Sequence, residues 1–331
     1  MKVLLYSGGK NLVAESGVGK ALQHQEQALA VSGITFTENA RDDYDIVHLN
    51  TVLPDARRMA VKAGKAGKRV VYHGHSTMED FKNSFVGSNL AAPLFRKWIC
   101  SCYEQADLIL TPTEYSRSLL MGYGLKKPVV SISNGIDTEY FRKEPGQRER
   151  FRQKYGFTEE EKVVLCVGLP IERKGLLDVV RLAKEFPEYS FVWCGHMSPG
   201  LLPANIKKAM ADASENLHFA GYLNREALRD AYGGADLFFF PSQEETEGIV
   251  MLEALSMEIP ILVRDIPVYD DWLQDGKEAW KAKNLHSFTQ RLWEILEGHL
   301  PSLTSAGRKV AEERDLKIIG TKLATLYQML L

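Results

Sequence analysis

Two carboxylates, Glu245 and Glu253, stand in a segment whose pattern is typical of a ligand-binding unit. The stretch FFFPSQEETEGIVMLEALSMEIPILV (residues 238–263) contains an apolar run, a polar loop, an amphipathic run and a second apolar run. This order predicts a strand, a loop, a helix and a strand. The loop that carries Glu245 then follows the carboxyl end of a buried strand, which is the edge where open parallel sheets bind ligands.

The spacing of the two carboxylates limits what they can hold. Glu253 lies more than one turn into the predicted helix, roughly 7–8 Å beyond Gly248 along the axis at a rise of 1.5 Å per residue. One atom cannot bridge both groups, but an elongated ligand can. The free N–H groups and the dipole at the start of the helix favour a diphosphate in its middle, with a sugar on one side and a ribose on the other. The alternative is a solvated acidic loop beside an unrelated glutamate.

This segment resembles the Glu-x7-Glu signature of the retaining nucleotide-sugar glycosyltransferases with the GT-B fold. The serine after the strand proline, the glutamate pair, the glycine and a Leu-Glu-Ala-Leu helix all match, whereas the family's usual Phe-Gly is Glu247-Gly248 here. The resemblance implies that Glu245 positions the transferred sugar and supports positive charge on it. It also implies that Glu253 binds the ribose hydroxyls, and that the backbone at Gly248 and Ile249 holds the diphosphate.

Positive charge for the diphosphate is expected from Lys174, which stands just before a predicted helix and can neutralise a leaving phosphate. In the resembled family a lysine stands there too, together with an arginine at the position of Leu169. Arg173 is therefore the candidate for the second cation, and the alternative is a site with one cation. Tyr222, after a later strand, either flanks a nucleotide base or packs in the core.

The first half of the chain supplies two further candidates. The segment Ser16-Gly17-Val18-Gly19-Lys20 follows a predicted first strand and resembles the family's glycine loop across the cleft from the donor phosphates, so Gly17 is a candidate donor contact. A later strand ends in His73-Gly74-His75, which is expected to expose imidazoles at the sheet edge. The resemblance implies that His75 contacts the transferred sugar.

Charge is distributed unevenly, although the net charge of the chain is only −2. Residues 1–150 carry 20 basic and 16 acidic side chains, and this basic half is expected to meet an anionic surface or substrate. The candidate membrane or acceptor residues are Arg57, Arg58, Lys62, Lys65, Phe95 and Trp98. The alternatives are a solvated basic helix face and an aromatic segment packed on its own domain. The phrases at 73–77, 87–90 and 244–250 resemble those of bacterial enzymes that extend glucosyl-diacylglycerol.

Composition and length agree with a globular protein of two domains. The chain has 331 residues with 45% hydrophobic and 25% charged side chains. No apolar run reaches the length of a spanning helix. The apolar run in the first residues is too short for a signal peptide. The four cysteines lack metal-ligand spacing. These features predict a cytoplasmic protein with reduced thiols.

The combined prediction is an α/β protein with two Rossmann-like doubly wound domains facing a cleft. The expected limits are 1–142 for an acceptor-binding domain, 143–305 for a nucleotide-sugar-binding domain, and 306–331 for a helix that returns to the first domain. The segment 143–150 is expected to be the linker.

The predicted activity is retaining transfer of a hexose from UDP-glucose or UDP-galactose to a membrane glycolipid, with glucosyl-diacylglycerol as the expected acceptor. The enzyme is expected at the inner face of the cell membrane, with no cofactor, no required metal and no nucleic-acid partner. The alternatives are a soluble sugar or polysaccharide acceptor, a nucleotide-sugar 2-epimerase, and a non-catalytic two-domain sugar-binding protein.

Overall fold

The computed structural model describes residues 1–8 and 17–331, and within them twelve strands form two parallel sheets of six strands each. The first sheet has the order β2-β1-β3-β4-β5-β6. Its strands are β1 (Lys2–Tyr6), β2 (Thr35–Thr37), β3 (Ile46–Leu49), β4 (Arg69–His73), β5 (Leu108–Thr111) and β6 (Val129–Ser131). The second sheet has the order β12-β11-β10-β7-β8-β9. Its strands are β7 (Val163–Val167), β8 (Ser190–Cys194), β9 (Leu217–Gly221), β10 (Leu237–Phe240), β11 (Ile261–Arg264) and β12 (Trp280–Ala282).

Helices cover both faces of each sheet, as parallel sheets require, because their strands are apolar on both sides. Those of the first half are α1 (Gly17–Val31), α2 (Pro54–Lys65), α3 (Met78–Phe81), α4 (Ser88–Tyr103) and α5 (Glu114–Gly122). Those that follow are α6 (Gln147–Tyr155), α7 (Leu176–Glu185), α8 (Ala204–Ala211), α9 (Arg225–Gly234), α10 (Ile249–Ser256), α11 (Leu285–Leu296), α12 (Thr304–Glu312) and α13 (Leu316–Leu330). The described part of the chain contains no helix long and apolar enough to cross a bilayer, and all four cysteines are free thiols.

The expected linker at 143–150 is partly wrong, because Gln147 already begins helix α6. Its polar, charged sequence looks like a linker but is fixed by ion pairs to the rest of the second half. Arg150 pairs with Asp230 at 2.7 Å, and Arg152 pairs with Asp236 at 2.8 Å. Charges that a local pattern marks as solvated are here stabilised by distant partners. The domain limits themselves stay a prediction.

The last part of the chain is two helices where one was expected. Helix α12 packs on α10 of the second half, and only α13 packs on α1 of the first half. The segment between α12 and α13 is held against the first half by a β-bridge between Asp315 and Ile136. The two helices α13 and α1 meet at Gly320, where an added Cβ would lie 2.2 Å from the backbone oxygen of Ala28 and 2.0 Å from Ser32 Oγ.

Replacement of Gly320 by alanine tests this close approach. Because the carbonyl of Ala28 is backbone and cannot turn away, we expect Gly320→Ala to lower the free energy of unfolding by about 1–3 kcal/mol, the usual cost of overpacking. Urea denaturation measures the change. Gly64→Ala is the matched control, since Gly64 also lies in a helix and an added Cβ there meets nothing within 4 Å. Equal stability of the two variants would contradict the packing of α13 on α1.

Candidate active site

A buried ion pair between Lys174 and Glu245 lies at the carboxyl edge of the second sheet. Lys174 ends a short 3-10 turn just before α7, and Glu245 lies in the loop between β10 and α10. The Ser242 hydroxyl also donates to Glu245 Oε1 at 2.6 Å. Burial alone would raise the pKa of Glu245, but the charges of Lys174 and Arg173 and these hydrogen bonds hold it below its usual range. The carboxylate is therefore ionised, and the cation beside it can be shared with an arriving anion.

A glycine allows the two loops to meet. Gly175 has a φ of +79°, and a Cβ there would lie 2.5 Å from the carbonyl oxygen of Pro241. Gln243 N donates to the carbonyl of Arg173 at 2.7 Å across the same junction. The turn that carries Lys174 and the loop that carries Glu245 are therefore in direct contact through their backbones.

Glu253, the second carboxylate of the pair, is buried on α10. Tyr232 Oη donates to its Oε2 at 2.9 Å, and Lys20 Nζ, from α1 in the first half, lies 3.1 Å from its Oε1. Helix α10 begins at Ile249 after Gly248, which has a φ of +87°. The carboxylate borders a pocket between the two halves that is also lined by Tyr222 and Arg225.

The predicted donor residues do not all lie together. Tyr222 follows β9 and is exposed at the same pocket as Glu253, so it is not a core residue. Gly17 is exposed at the first residue of α1. Ser16, at the start of the predicted glycine loop, lies outside the described residues.

Arg173 points across the cleft. Its guanidinium pairs with Asp80 at 2.7 Å and donates to Ser84 Oγ at 3.1 Å, both from the first half. It also donates to the carbonyl oxygen of Glu244 at 2.9 Å. In this structure the side chain joins the two halves, so its charge is already balanced by Asp80.

Two other glutamates of the same loop, Glu244 and Glu247, contact the first half, and local sequence gives no sign of their partners. Glu247 is buried and accepts hydrogen bonds on Oε2 from Asn134 N at 3.0 Å and Asn134 Nδ2 at 2.7 Å. Burial raises the pKa of Glu247. Glu244 accepts from Tyr115 Oη at 2.9 Å, and burial raises the pKa of Glu244 to about 7. The departure from the family's Phe-Gly thus places a polar contact between the halves.

His75 is buried at the end of β4 and not exposed, which corrects the expectation for this sheet edge. Its ring stacks on His73 at 4.1 Å between centroids, and His73 stacks on His48 at 5.4 Å. His75 Nε2 lies 3.2 Å from Asn50 Oδ1, a hydrogen-bond acceptor, so Nε2 carries the proton. Burial lowers the pKa of His75 to about 3. The imidazole is neutral at neutral pH and can hydrogen-bond a ligand without carrying charge.

The predicted basic residues lie on helix α2. Arg58, Lys62 and Lys65 are exposed, and Arg57 is half-buried with Nε donating to the carbonyl of Ser101 at 3.2 Å.

Phe95 and Trp98, predicted to meet a membrane, are half-buried in their own domain. Phe95 stacks on Phe81 at 4.0 Å, and Trp98 Nε1 donates to the carbonyl of Val52 at 2.6 Å. Leu90 and Leu94 are exposed instead, at 89% and 70%. Helical geometry explains the difference. Leu90 and Leu94 are four residues apart and share the exposed face of α4, whereas Phe95 and Trp98 lie on a face that is turned toward the domain. We call Phe85, Val86, Leu90 and Leu94 the apolar patch.

Metal-binding geometry is not found in the described ranges, where no three or more His, Cys, Asp or Glu side chains are grouped to hold an ion.

The chain matches two family models. Residues 147–310 match the model described as Glycosyl transferases group 1, and residues 29–140 match Glycosyltransferase Family 4. A processive diacylglycerol alpha-glucosyltransferase of Acholeplasma laidlawii is 38% identical over 329 residues, which are 99% of this chain and 98% of the relative. An alpha-galactosylglucosyldiacylglycerol synthase of Streptococcus pneumoniae is 27% identical over 81% of this chain and 73% of its own length.

Solved structures share the fold. The Anabaena protein HepE in complex with UDP-glucose superposes with a TM-score of 0.75 at 18% identity, with both chains fully covered. Sucrose-phosphate synthase from Thermosynechococcus elongatus gives 0.80 at 16% identity, over 100% of this chain and 99% of that one. The predicted fold of two Rossmann-like domains facing a cleft is confirmed.

The histidine stack generates a prediction about acid sensitivity. Burial lowers the pKa of His48 and His75 to about 3 and that of His73 well below its usual value. As the pH falls, these three histidines become protonated in the unfolded chain at a higher pH than in the folded protein. Stability is therefore complete above about pH 6.5 and falls as the pH drops toward 3, by about 1.4 kcal/mol per pH unit for each histidine.

Replacing His73 by phenylalanine should remove one histidine's contribution to the pH dependence of stability. Both ring nitrogens of His73 are buried without a hydrogen-bond partner, so phenylalanine keeps the stacked shape and leaves no polar group unsatisfied. We expect the free energy of unfolding, measured by urea titration between pH 6 and 4, to depend less on pH by about 1.4 kcal/mol per unit. The exposed His286 provides the control variant His286→Phe. Parallel pH dependence of His73→Phe and the unmodified protein would contradict the burial of a neutral His73.

Proposed function

The chain belongs to the group 1 glycosyl transferases, and from this premise we propose that it transfers glucose from UDP-glucose to glucosyl-diacylglycerol with the anomeric configuration kept. We propose this acceptor because the chain is similar over its full length to a relative named a processive diacylglycerol alpha-glucosyltransferase. UDP-galactose is the second candidate donor, because another relative is named an alpha-galactosylglucosyldiacylglycerol synthase. A soluble acceptor, epimerisation and sugar binding without turnover are the other outcomes that the assay below separates.

In this proposal the second half holds the donor. Lys174 and the N–H groups at Gly248 and Ile249 bind the diphosphate, because a lysine and a helix N-terminus both favour phosphate charge. Glu253 accepts hydrogen bonds from the ribose hydroxyls, and its buried position beside the pocket supports that role. Tyr222 lies against the base, and Gly17 approaches the phosphates from the first half.

Glu245 stabilises positive charge on the transferred sugar. Its ion pair with Lys174 and its lowered pKa keep it ionised, and a carboxylate held in this way supports charge development better than covalent attack. We infer front-face displacement. The bond from the anomeric carbon to the phosphate oxygen breaks, the bond to the acceptor oxygen forms on the same face, and the acceptor's proton passes to the leaving phosphate. Neutral His75 hydrogen-bonds a sugar hydroxyl.

The first half meets the lipid acceptor at the membrane. The exposed basic residues of α2 attract anionic headgroups, each contributing about 1 kcal/mol near the surface. The apolar patch lies on the first turns of α4 and the turn before it, in the same half, and offers leucines that gain free energy on leaving water. We propose that these two surfaces of the first half bind the cytoplasmic side of the cell membrane.

The proposed activity and the role of Glu245 are tested together. The enzyme is incubated with labelled UDP-glucose, or UDP-galactose, and glucosyl-diacylglycerol in mixed micelles, and the lipid and water-soluble products are separated. We expect label in a lipid with one more hexose. Glu245→Gln should lower kcat and kcat/KM together by about 100-fold, because the interaction is made in the transition state. UDP affinity should be largely kept.

The matched control is Glu188→Gln, since Glu188 is exposed on the second half away from the cleft. Label only in free sugar or in an epimerised nucleotide would contradict lipid glycosylation. An unchanged kcat in Glu245→Gln would contradict the assignment of that carboxylate.

Membrane binding is tested by cosedimentation with vesicles that contain phosphatidylglycerol. Replacing Arg58, Lys62 and Lys65 together by glutamate should abolish binding at low salt, with each residue contributing about fivefold. Leu90→Ser/Leu94→Ser should weaken the binding that survives high salt. Leu201→Ser is the control, because Leu201 is an exposed leucine of the second half. Sedimentation of all these variants like the unmodified protein would exclude these two surfaces as the membrane contact.

A further inference from the structure

Two arginines of the described second half that border the cleft already pair with carboxylates of the first half. Leu169 is apolar, and the guanidinium of Arg173 is already paired with Asp80 of the first half. Arg225 lies at the donor pocket but pairs with Asp137 at 2.9 Å. A nucleoside diphosphate carries more negative charge than Lys174 alone can balance, so a further positive group is needed near the pocket.

Lys20 meets that need from the opposite side of the cleft. It stands in the first turn of α1, and its Nζ lies 3.1 Å from Glu253 Oε1. The Lys20 side chain is 29% exposed, whereas that of Glu253 is 2% exposed. The lysine therefore reaches the buried carboxylate from the open part of the pocket, where it remains accessible to a ligand.

The contact with Glu253 conflicts with binding of a ribose. Tyr232 already donates to Oε2 of Glu253, and Lys20 occupies Oε1. Ribose hydroxyls that donate to this carboxylate compete with the ammonium. A displaced lysine on a flexible four-carbon stem can turn to a phosphate of the same ligand. Its charge balances the buried carboxylate when the pocket is empty, since an unpaired buried charge is costly.

We propose that Lys20 is a donor-binding residue that exchanges Glu253 for the diphosphate when a nucleotide sugar arrives. This inference rests on the proposed function, since it assumes that Glu253 holds the ribose. The exchange replaces a direct contact between the halves by one through the ligand, so α1 of the first half stays joined to the second half when the donor is bound.

Affinities for UDP and uridine, measured by calorimetry, test the exchange. Lys20→Gln keeps a hydrogen-bond donor for Glu253 but removes the charge, and Lys20→Met removes both. We expect each variant to weaken UDP binding by about tenfold, as expected for a lost charge-assisted hydrogen bond. Uridine, which has no phosphate, should bind within about twofold of the unmodified protein or more tightly, because its ribose no longer competes with the ammonium. Lys207→Met, at an exposed position on α8, is the control.

Two outcomes would overturn the proposal, and a third would reject the proposed function on which it rests. Equal losses for UDP and uridine would mean that Lys20 only supports Glu253. Unchanged UDP affinity in Lys20→Gln would mean that its charge does not reach the phosphates, and this variant keeps the test decisive if Lys20→Met does not fold. Failure of the unmodified protein to bind UDP at all would instead reject the proposed function.

Discussion

A charged side chain buried beside a cleft needs a partner of opposite charge or several hydrogen-bond donors, and here those partners come from both halves of the chain. Lys20 meets Glu253, Asp80 meets Arg173, and Asn134 meets Glu247. Each of these contacts joins the halves through polar groups. Polar contacts can be exchanged for water or for a ligand at little net cost, so the same interactions that hold the halves together also permit them to separate.

The order of strands explains why the site forms where it does. Strands β7 and β10 are hydrogen-bonded neighbours, so the loops that follow them, which carry Lys174 and Glu245, meet at one edge of the second sheet. In the first sheet β3 and β4 are neighbours as well, which brings Asn50 beside His75. Residues separated by many positions in the chain become adjacent because parallel strands present their carboxyl ends together.

Local sequence pattern was sufficient for the strands that flank the candidate site, because a strand, a loop and a helix within one short segment determine where Glu245 and Glu253 lie. The fold of two domains was implied by the family resemblance. Local pattern did not predict the surroundings of a residue whose contacts come from parts of the chain far away in sequence. The start of helix α6, residues 147–150, was predicted to be linker because the ion-pair partners that fix this helix lie about eighty residues away in the chain. The sequence left open whether Trp98 meets a membrane or packs on its own domain, because a list of aromatic residues does not say which helix face is covered; Leu90 and Leu94 are the exposed side chains of this helix.

The return of α13 to the first half has a consequence for biosynthesis. Helix α13 supplies Leu316, Ile319 and Leu323 to the core beneath the first sheet, and Tyr327 contacts His48 there. All of these residues follow the second half in the chain, so a ribosome makes them after it. The second half is contiguous and can reach its native state as soon as it emerges. The first half, although translated earlier, must keep an apolar surface uncovered until α13 arrives, so folding is completed in the reverse of the order of translation.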